Sequence, residues 1–275
     1  LRFIDKIYNA IKTYNPDLII NCAGVVGGIG ANAKNPGDFC LNNTKINTNI
    51  VEVCFTNDIP LVQIGTTCSY PKYCEIPFKE EDLFNGFPEE TNAAYGISKR
   101  ANLILLDALH KQYGYDYWYL IPTNMYGPND NWNMGTSHVI PAVIHKMHDA
   151  IITRSDSFSL YGDGSPTRDF LHVDDFAAAV EHVVKHDILK NEPVNVGSGN
   201  EVSIRDIVKM VRSNLVQLTN TKLPLDVAWD TSKPNGQPRR CLDISKICDS
   251  GWFPKIILGE GIYEVCAKYI AGRTD

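Results

Sequence analysis

Tyr95 and Lys99 stand one helical turn apart, downstream of a strand-like run that ends in Gly65-Thr66-Thr67-Cys68. Residues i and i+4 share a helix face, so Tyr95-Gly96-Ile97-Ser98-Lys99 sets a phenol beside an ammonium. A phenol of pKa roughly 10 is a poor acid or base near neutrality. A neighbouring cation favours the phenolate and pulls that value down. A hydroxyl such as that of Thr66 on the far side of a substrate oxygen would hold a carbonyl in place. This equipment suits proton transfer to the oxygen of a ketone or alcohol while a hydride moves at its carbon. Taken alone, the pair reads more readily as a solvated lysine beside a half-buried tyrosine. The catalytic reading gains from Ile59-Pro60-Leu61-Val62-Gln63-Ile64, which delivers Gly65, Thr66 and Thr67 to a strand's carboxyl end. Open parallel sheets hold their ligands at that end.

The elements that must position these groups alternate. Phe3, Ile4, Ile7, Tyr8 and Ile11 recur at helical spacing, Asn15-Pro16-Asp17 breaks the pattern, and Leu18-Ile19-Ile20 reads as a buried parallel strand. Asn43 to Phe55 reads as a helix with Ile46, Ile50, Val51 and Cys54 on its apolar face. The stretch from Pro71 to Thr91 has no period and reads as loop over a site. A helix from Tyr95, a strand from Tyr115 to Ile121, helices over Val139 to Ala150 and Asp174 to Val184, and a strand at Pro193 to Val196 follow. Ser203 caps a helix running to Leu215. Leu225 to Trp229, a turn at Lys233-Pro234-Asn235-Gly236 and a final helix complete a smaller part. The alternation predicts an α/β fold built on a doubly wound parallel sheet.

The chain opens inside a βαβ pattern. The strand, Gly-rich turn and helix that hold a dinucleotide's pyrophosphate are expected before Leu1, about 30 residues in all. Gly24, Gly27, Gly28 and Gly30 follow a strand but do not have that turn's spacing. The 275 residues suffice for one large domain or two smaller ones. With 26 basic against 32 acidic residues, a net charge of −6, the chain lacks the basic surplus of a nucleic-acid binder. Eight irregularly spaced cysteines form no C-x-x-C pair; they read as buried thiols of a cytoplasmic protein. No run is apolar enough to span a bilayer. His145-x-x-His148 is a weak metal pattern without a third ligand, and no metal is expected.

Seven stretches, in order and spacing, resemble the extended short-chain dehydrogenase/reductase family in its GDP-L-fucose synthase branch. They are Val26-Gly27-Gly28-Ile29, Gly65 to Pro71, Tyr95 to Lys99, Pro122 to Pro128, Ser137 to Ala142, Arg168 to Asp175 and Ser232 to Gly236. The resemblance implies a Rossmann-type dinucleotide-binding domain over 1–125 and about 169–198, and a nucleotide-sugar domain over 126–168 and 199–275. It implies a 3,5-epimerase/4-reductase that makes GDP-L-fucose from GDP-4-keto-6-deoxy-mannose with hydride from NADPH, with NAD left open. Tyr95 would donate a proton to the sugar O4, Lys99 would anchor the ribose, and Thr66 would orient the carbonyl. Most relatives carry Ser where Thr66 stands, and the added methyl stiffens χ1.

Cys68 and His138, structural residues when read alone, match the acid and base that epimerise C3 and C5 beside the 4-keto group. Ile64, Gly65, Thr66, Thr67, Lys99, Pro122, Thr123, Asn124, Met125 and His138 fall at positions that touch the cofactor. Lys146, Tyr161, Arg168 and Asn235 fall where the family contacts the GDP-sugar, although Arg, Trp and Asp are usual at the first, second and fourth. A surface ion pair of Arg168 with Asp169 or Asp163 is the competing reading. Asn49 would be an internal polar brace, and the Gly24 to Gly30 loop would lie near nicotinamide and sugar. Homodimerisation through the helices near Asn43 and Tyr95 is the family habit. A UDP-sugar 4-epimerase needs neither Cys68 nor His138, and a 4,6-dehydratase carries Thr-Asp-Glu where Thr67-Cys68-Ser69 stands. The remaining alternatives are the same chemistry on a GDP-6-deoxy-heptose and a non-catalytic sensor or fragment of the fold.

Overall fold

A computed structural model describes residues 1–221, 226–233 and 235–272. Leu225, Pro234 and the last three positions of the expected sugar domain lie outside the described residues. In chain order the first elements are α1 (Ile4–Tyr14), β1 (Ile19–Asn21), α2 (Ile29–Lys34), α3 (Pro36–Thr56), β2 (Leu61–Ile64), α4 (Ala93–Tyr113) and β3 (Tyr117–Pro122). Then come β4 (Asn124–Tyr126), α5 (Val139–Thr153), β5 (Ser157–Tyr161), β6 (Thr167–His172) and α6 (Val173–Lys185). The last are β7 (Pro193–Val196), β8 (Glu201–Ser203), α7 (Ile204–Thr219), β9 (Asp226–Asp230), β10 (Arg239–Arg240), α8 (Ser245–Asp249) and α9 (Leu258–Ala271). Among the described residues no helix is long and apolar enough to cross a membrane.

The chain forms two compact units. The first comprises Leu1–Thr123, Ala177–Val196 and Leu242–Phe253. Its sheet is wholly parallel, in the order β1-β2-β3-β7. Every residue of β2 and β3 is buried, as expected of strands covered on both faces. Val53, Cys54, Leu61, Leu106, Tyr117, Tyr119 and Ile121 lie in the core beside them, with Ile7 and Ile11 from α1. The second unit comprises Asn124–Phe176, Gly197–Cys241 and Pro254–Asp275. There β6 bonds β4 and β10 in parallel and β8 antiparallel, and β5 pairs with β9. Its core gathers Ile140, Ile144, Met147, Ile207, Val211, Ile262 and Cys266 from α5, α7 and α9.

Several limits differ from the sequence expectation. The return to the first unit falls at Ala177 rather than near residue 169, because β6 is hydrogen-bonded to β4, β8 and β10 of the second unit. Leu242–Phe253 also rejoins the first unit, where Leu242 is buried in its core. Helix α3 starts seven residues earlier than expected, since Pro36 occupies its first turn, a position where a missing N–H costs nothing. Glycines at 27, 28 and 30 suggested an irregular loop, yet Gly28 precedes the short helix α2. Asn49 is not the internal brace: its amide reaches Leu1 O. Asn43, fully buried, takes that part by accepting from Val25 N and donating to Val25 O, both at 2.9 Å, which pins the Gly-rich loop to α3.

Candidate active site

Strand β2 ends at Ile64, and Gly65 N donates to Leu120 O of β3 at 2.7 Å. A Cβ on Gly65 would sit 2.6 Å from the Tyr119 ring, so only glycine lets the chain turn here. Thr66 then caps a 3-10 turn, Thr67–Ser69, its hydroxyl accepting from Cys68 N at 3.2 Å. Thr66 and Thr67 are buried and Cys68 is half-buried. Helix α4 is set directly against this turn. A Cβ on Gly96 would lie 2.2 Å from Cys68 O, and Ser69 Oγ donates to Gly96 O at 3.1 Å. Arg100, one turn further on, donates from Nε to Ser69 O and from Nη1 to Gly86 O (2.7 Å). It thereby ties the turn to the loop that follows it.

This packing brings Thr66, Cys68, Tyr95 and Lys99 together in the first unit. The half-buried Tyr95 hydrogen-bonds the Thr66 side chain. Its phenol is pushed well above its ordinary value by burial, raised further by the nearby Cys68 and eased by the Thr66 bond. The expected pull of Lys99 on the phenol is not what sets it: desolvation dominates. Lys99 is 3% exposed and donates to Ile64 O at 2.9 Å. Burial pulls its ammonium down from 10.5 to about 8, against a smaller opposing influence of Cys22.

That ammonium has a cost for the fold. A drop from 10.5 to about 8 corresponds to a penalty on the order of 3 kcal/mol below pH 8. The unfolded state binds the extra proton between about pH 8 and 10.5, so Lys99 adds a component of stability that rises with pH across that window. Lys99→Met is therefore expected to stabilise the fold by roughly 1–3 kcal/mol at pH 7, with the gain shrinking by pH 10. Urea denaturation at both pH values checks it; a destabilised Lys99→Met at pH 7 would contradict the argument.

The remaining predicted residues are spread over both units. Pro122 ends β3 opposite Val196 of β7, and the buried Thr123 donates its N–H to Val196 O at 2.9 Å. Asn124 and Met125 begin the second unit on β4, where Asn124 Nδ2 donates to Asp169 O at 2.8 Å. His138 is an exposed residue at the N-terminal cap of α5. Lys146 Nζ donates to Ser159 O at 2.8 Å and lies 5.3 Å from the Tyr161 ring centre. Lys233 approaches the same ring at 5.9 Å, so the exposed Tyr161 carries two cations on its surroundings. Such stacking adds roughly 0.5–1 kcal/mol at an exposed site.

Arg168 Nη1 donates to Thr167 O at 2.7 Å on β6. Asn235 Oδ1 accepts from Asp163 N at 2.9 Å and fills the space where a Cβ on Gly162 would stand, so its oxygen is used in holding the Gly162–Asp163 turn. His145 pairs with Asp149 at 2.9 Å, and the His148 ring packs edge-on against Tyr269. Sequence reasoning passed over Arg100, Gly96 and Lys233. Gly96 and Lys233 stood inside quoted motifs; Arg100 has no signal until the turn it clamps is in view.

The family model described as Epimerase, NAD dependent epimerase/dehydratase family, matches residues 1–197. A probable GDP-L-fucose synthase 1 of Oryza sativa subsp. japonica is 40% identical over 257 residues, 93% of this chain and 76% of that one. Among solved structures, a GDP-6-OMe-4-keto-L-xylo-heptose reductase from C. jejuni superposes with a TM-score of 0.90 at 27% identity, covering 99% of this chain and 87% of that chain. A GDP-L-fucose synthetase from Naegleria fowleri bound to NADP gives 0.85 at 25% identity, with 99% and 83% covered. The chain belongs to the NAD dependent epimerase/dehydratase family.

Proposed function

We propose that the chain is an NADP(H)-dependent nucleotide-sugar 3,5-epimerase/4-reductase that makes GDP-L-fucose from GDP-4-keto-6-deoxy-mannose. The observation that carries this reading is the packing of Gly96 on Cys68, which sets a thiol, a hydroxyl and a phenol around one turn at the end of β2. The relative at 40% identity supports the same chemistry.

The nicotinamide–ribose end of the cofactor fits the residues present. Lys99 is buried, and among the described residues Ile64 O is its single hydrogen-bond acceptor, so N–H bonds remain for ribose hydroxyls. Ile64, Gly65, Thr66, Thr67, Pro122 and Thr123 end β2 and β3 on the side where such sheets bind ligands; Asn124, Met125 and His138 are assigned to the cofactor by resemblance. The cofactor, when bound, supplies the hydride for C4.

Thr66 orients the 4-keto oxygen, and Tyr95 donates its proton to that oxygen. Burial keeps the phenol protonated, which is the form a reduction needs. Cys68 and His138 serve the epimerisations: one group removes the proton from C3 or C5, the 4-keto group takes up the electron pair as an enolate, and the other returns a proton on the opposite face. The half-buried Cys68 thiol and the exposed His138 imidazole are both groups that can take up and release a proton. Lys146, Tyr161, Arg168 and Asn235 hold the GDP-sugar, with the Arg168 guanidinium on phosphate.

Incubation with GDP-4-keto-6-deoxy-mannose and NADPH in deuterated water tests the proposal. Cofactor oxidation with deuterium at C3 and C5 is expected. Cys68→Ser and His138→Asn are each expected to lower exchange by at least 10²-fold. Oxidation without exchange would leave a simple ketoreductase. The heptose reductase structure favours a second reading, the same chemistry on a GDP-heptose; turnover with that sugar alone would select it.

The proposal includes a homodimer through α3 and α4. Leu41 on α3 and Ile97 and Ile104 on α4 are 54%, 36% and 52% exposed, apolar side chains that such a dimer would cover. Sedimentation is expected to show a dimer that Ile104→Glu dissociates; a monomeric parent protein would rule it out. A cytoplasmic location is likewise part of this reading.

A further inference from the structure

Strands β1 and β2 carry a buried polar pair that the proposed chemistry does not use. Asn21 and Gln63 face each other in register, 3% and 0% exposed. Asn21 Oδ1 accepts from Ala23 N at 3.1 Å, and Asn21 Nδ2 donates to Gln63 Oε1 at 2.9 Å. Gln63 Nε2 in turn donates to Ile64 O at 3.1 Å, the same oxygen that accepts from Lys99 Nζ at 2.9 Å. Each amide has its orientation fixed by the one before it. The chain of bonds runs from the start of the Gly-rich loop to the buried ammonium.

We propose that Gln63, held by Asn21, is a positioning residue for Lys99: it shares the Ile64 carbonyl with the ammonium and so fixes that ammonium in place. A carbonyl oxygen offers two lone pairs. The Gln63 amide occupies one, leaving the other to Lys99. The positive end of the amide dipole and the ammonium then meet at one oxygen between buried side chains, where such opposition is felt strongly. Gln63 thus steadies the carbonyl while loosening its hold on the proton of Lys99. The other titratable groups near Lys99 are Cys22 after β1, Tyr95 on α4, and Tyr119 on β3, whose hydroxyl donates to Lys99 O. None of them shares the Ile64 oxygen.

The inference rests on reading Lys99 as the ribose anchor, but its test needs neither cofactor nor sugar. The full chain is labelled with [13Cε]lysine, and the Lys99 signal is identified by its loss in Lys99→Met. Its titration is followed in the parent protein, in Gln63→Glu, and in the double variant Asn21→Leu/Gln63→Leu. The double variant removes both side-chain amides at once, so neither is left without the other, and only the part-buried Ala23 N–H loses its acceptor. Circular dichroism confirms that each variant folds. A midpoint near 8 is expected for the parent protein. It should rise by about one pH unit or more in Gln63→Glu, where a carboxylate replaces the amide. It should rise by a smaller amount in the double variant, where the opposing dipole is gone. Midpoints within about 0.2 of the parent in the folded variants would overturn the proposal. Absence of turnover with a GDP-keto-sugar would count against the proposed function while leaving these midpoints standing.

Discussion

Tyr95→Phe is expected to slow ketone reduction by roughly 10²- to 10⁴-fold, the range a positioned general acid supplies. The substitution removes one oxygen and keeps the ring. Thr66 loses the Tyr95 partner but retains Cys68 N as a donor to its hydroxyl. The turn should therefore stay in place. Burial and Cys68 hold the phenol proton well above the ordinary tyrosine range, so the parent reduction should not be limited by Tyr95 ionisation at any pH below 10. An alkaline fall in activity should instead follow Lys99 near pH 8. Deuterium exchange at C3 and C5 should persist in Tyr95→Phe, because that chemistry is assigned to Cys68 and His138. Stopped-flow absorbance of NADPH and mass analysis of the recovered sugar separate the two activities. A variant that reduces within threefold of the parent would remove Tyr95 from the mechanism.

The sheet was legible because its strands are short apolar runs bounded by breakers, as at Asn15-Pro16-Asp17 before β1. Yet β1 is not the buried strand expected over Leu18-Ile19-Ile20: it spans Ile19–Asn21, with Ile19 half-buried and Ile20 48% exposed. Tyr95 and Lys99 were legible because a one-turn spacing survives any choice of helix boundary, and α4 starts two residues earlier than expected without changing it. The electrostatics were not legible. A sequence shows that a cation lies one turn away, but not that Lys99 is buried on a backbone carbonyl. Desolvation, which needs the packed surroundings, reversed the sign expected for Tyr95.

Short polar strands such as β8 and the exposed-buried alternation of β5 escaped because three to five residues hold too little period to read. Arg100, Asn21 and Gln63 escaped for a different reason. Arg100 and Gln63 act through backbone oxygens of another element or of the next residue, and Asn21 acts through Ala23 N and the Gln63 side chain. Asn235 shows the converse: a residue marked for the sugar has its oxygen on the backbone of Asp163.

Gly96→Ala should test the site's architecture without touching a reacting atom. In an ordinary helix interior the change favours folding by about 1 kcal/mol. Here the new Cβ would lie 2.2 Å from Cys68 O, 2.9 Å from Cys68 C and 3.3 Å from Ser69 Cα. All three are backbone atoms, so no side chain can swing aside. Helix α4 is held to the turn through Ser69 Oγ on Gly96 O and Arg100 on Ser69 O. Separation must therefore break those bonds or displace Thr66 and Cys68 from Tyr95. Overpacking of this kind costs about 1–3 kcal/mol, and a displacement near 1 Å at a reacting centre costs about 10²-fold in rate.

The expected result is a variant less stable than its parent, against the helix preference, with both reduction and exchange down by about two orders of magnitude. Gly259→Ala supplies the control, since a Cβ there meets nothing within 4 Å in α9. It should be neutral or stabilising and fully active. Opposite signs for one substitution in two helices, measured by urea denaturation and turnover, would locate the effect in the contact with Cys68. Equal and favourable signs would mean that α4 does not press on the turn, and the observation on which the proposed function rests would fall with it.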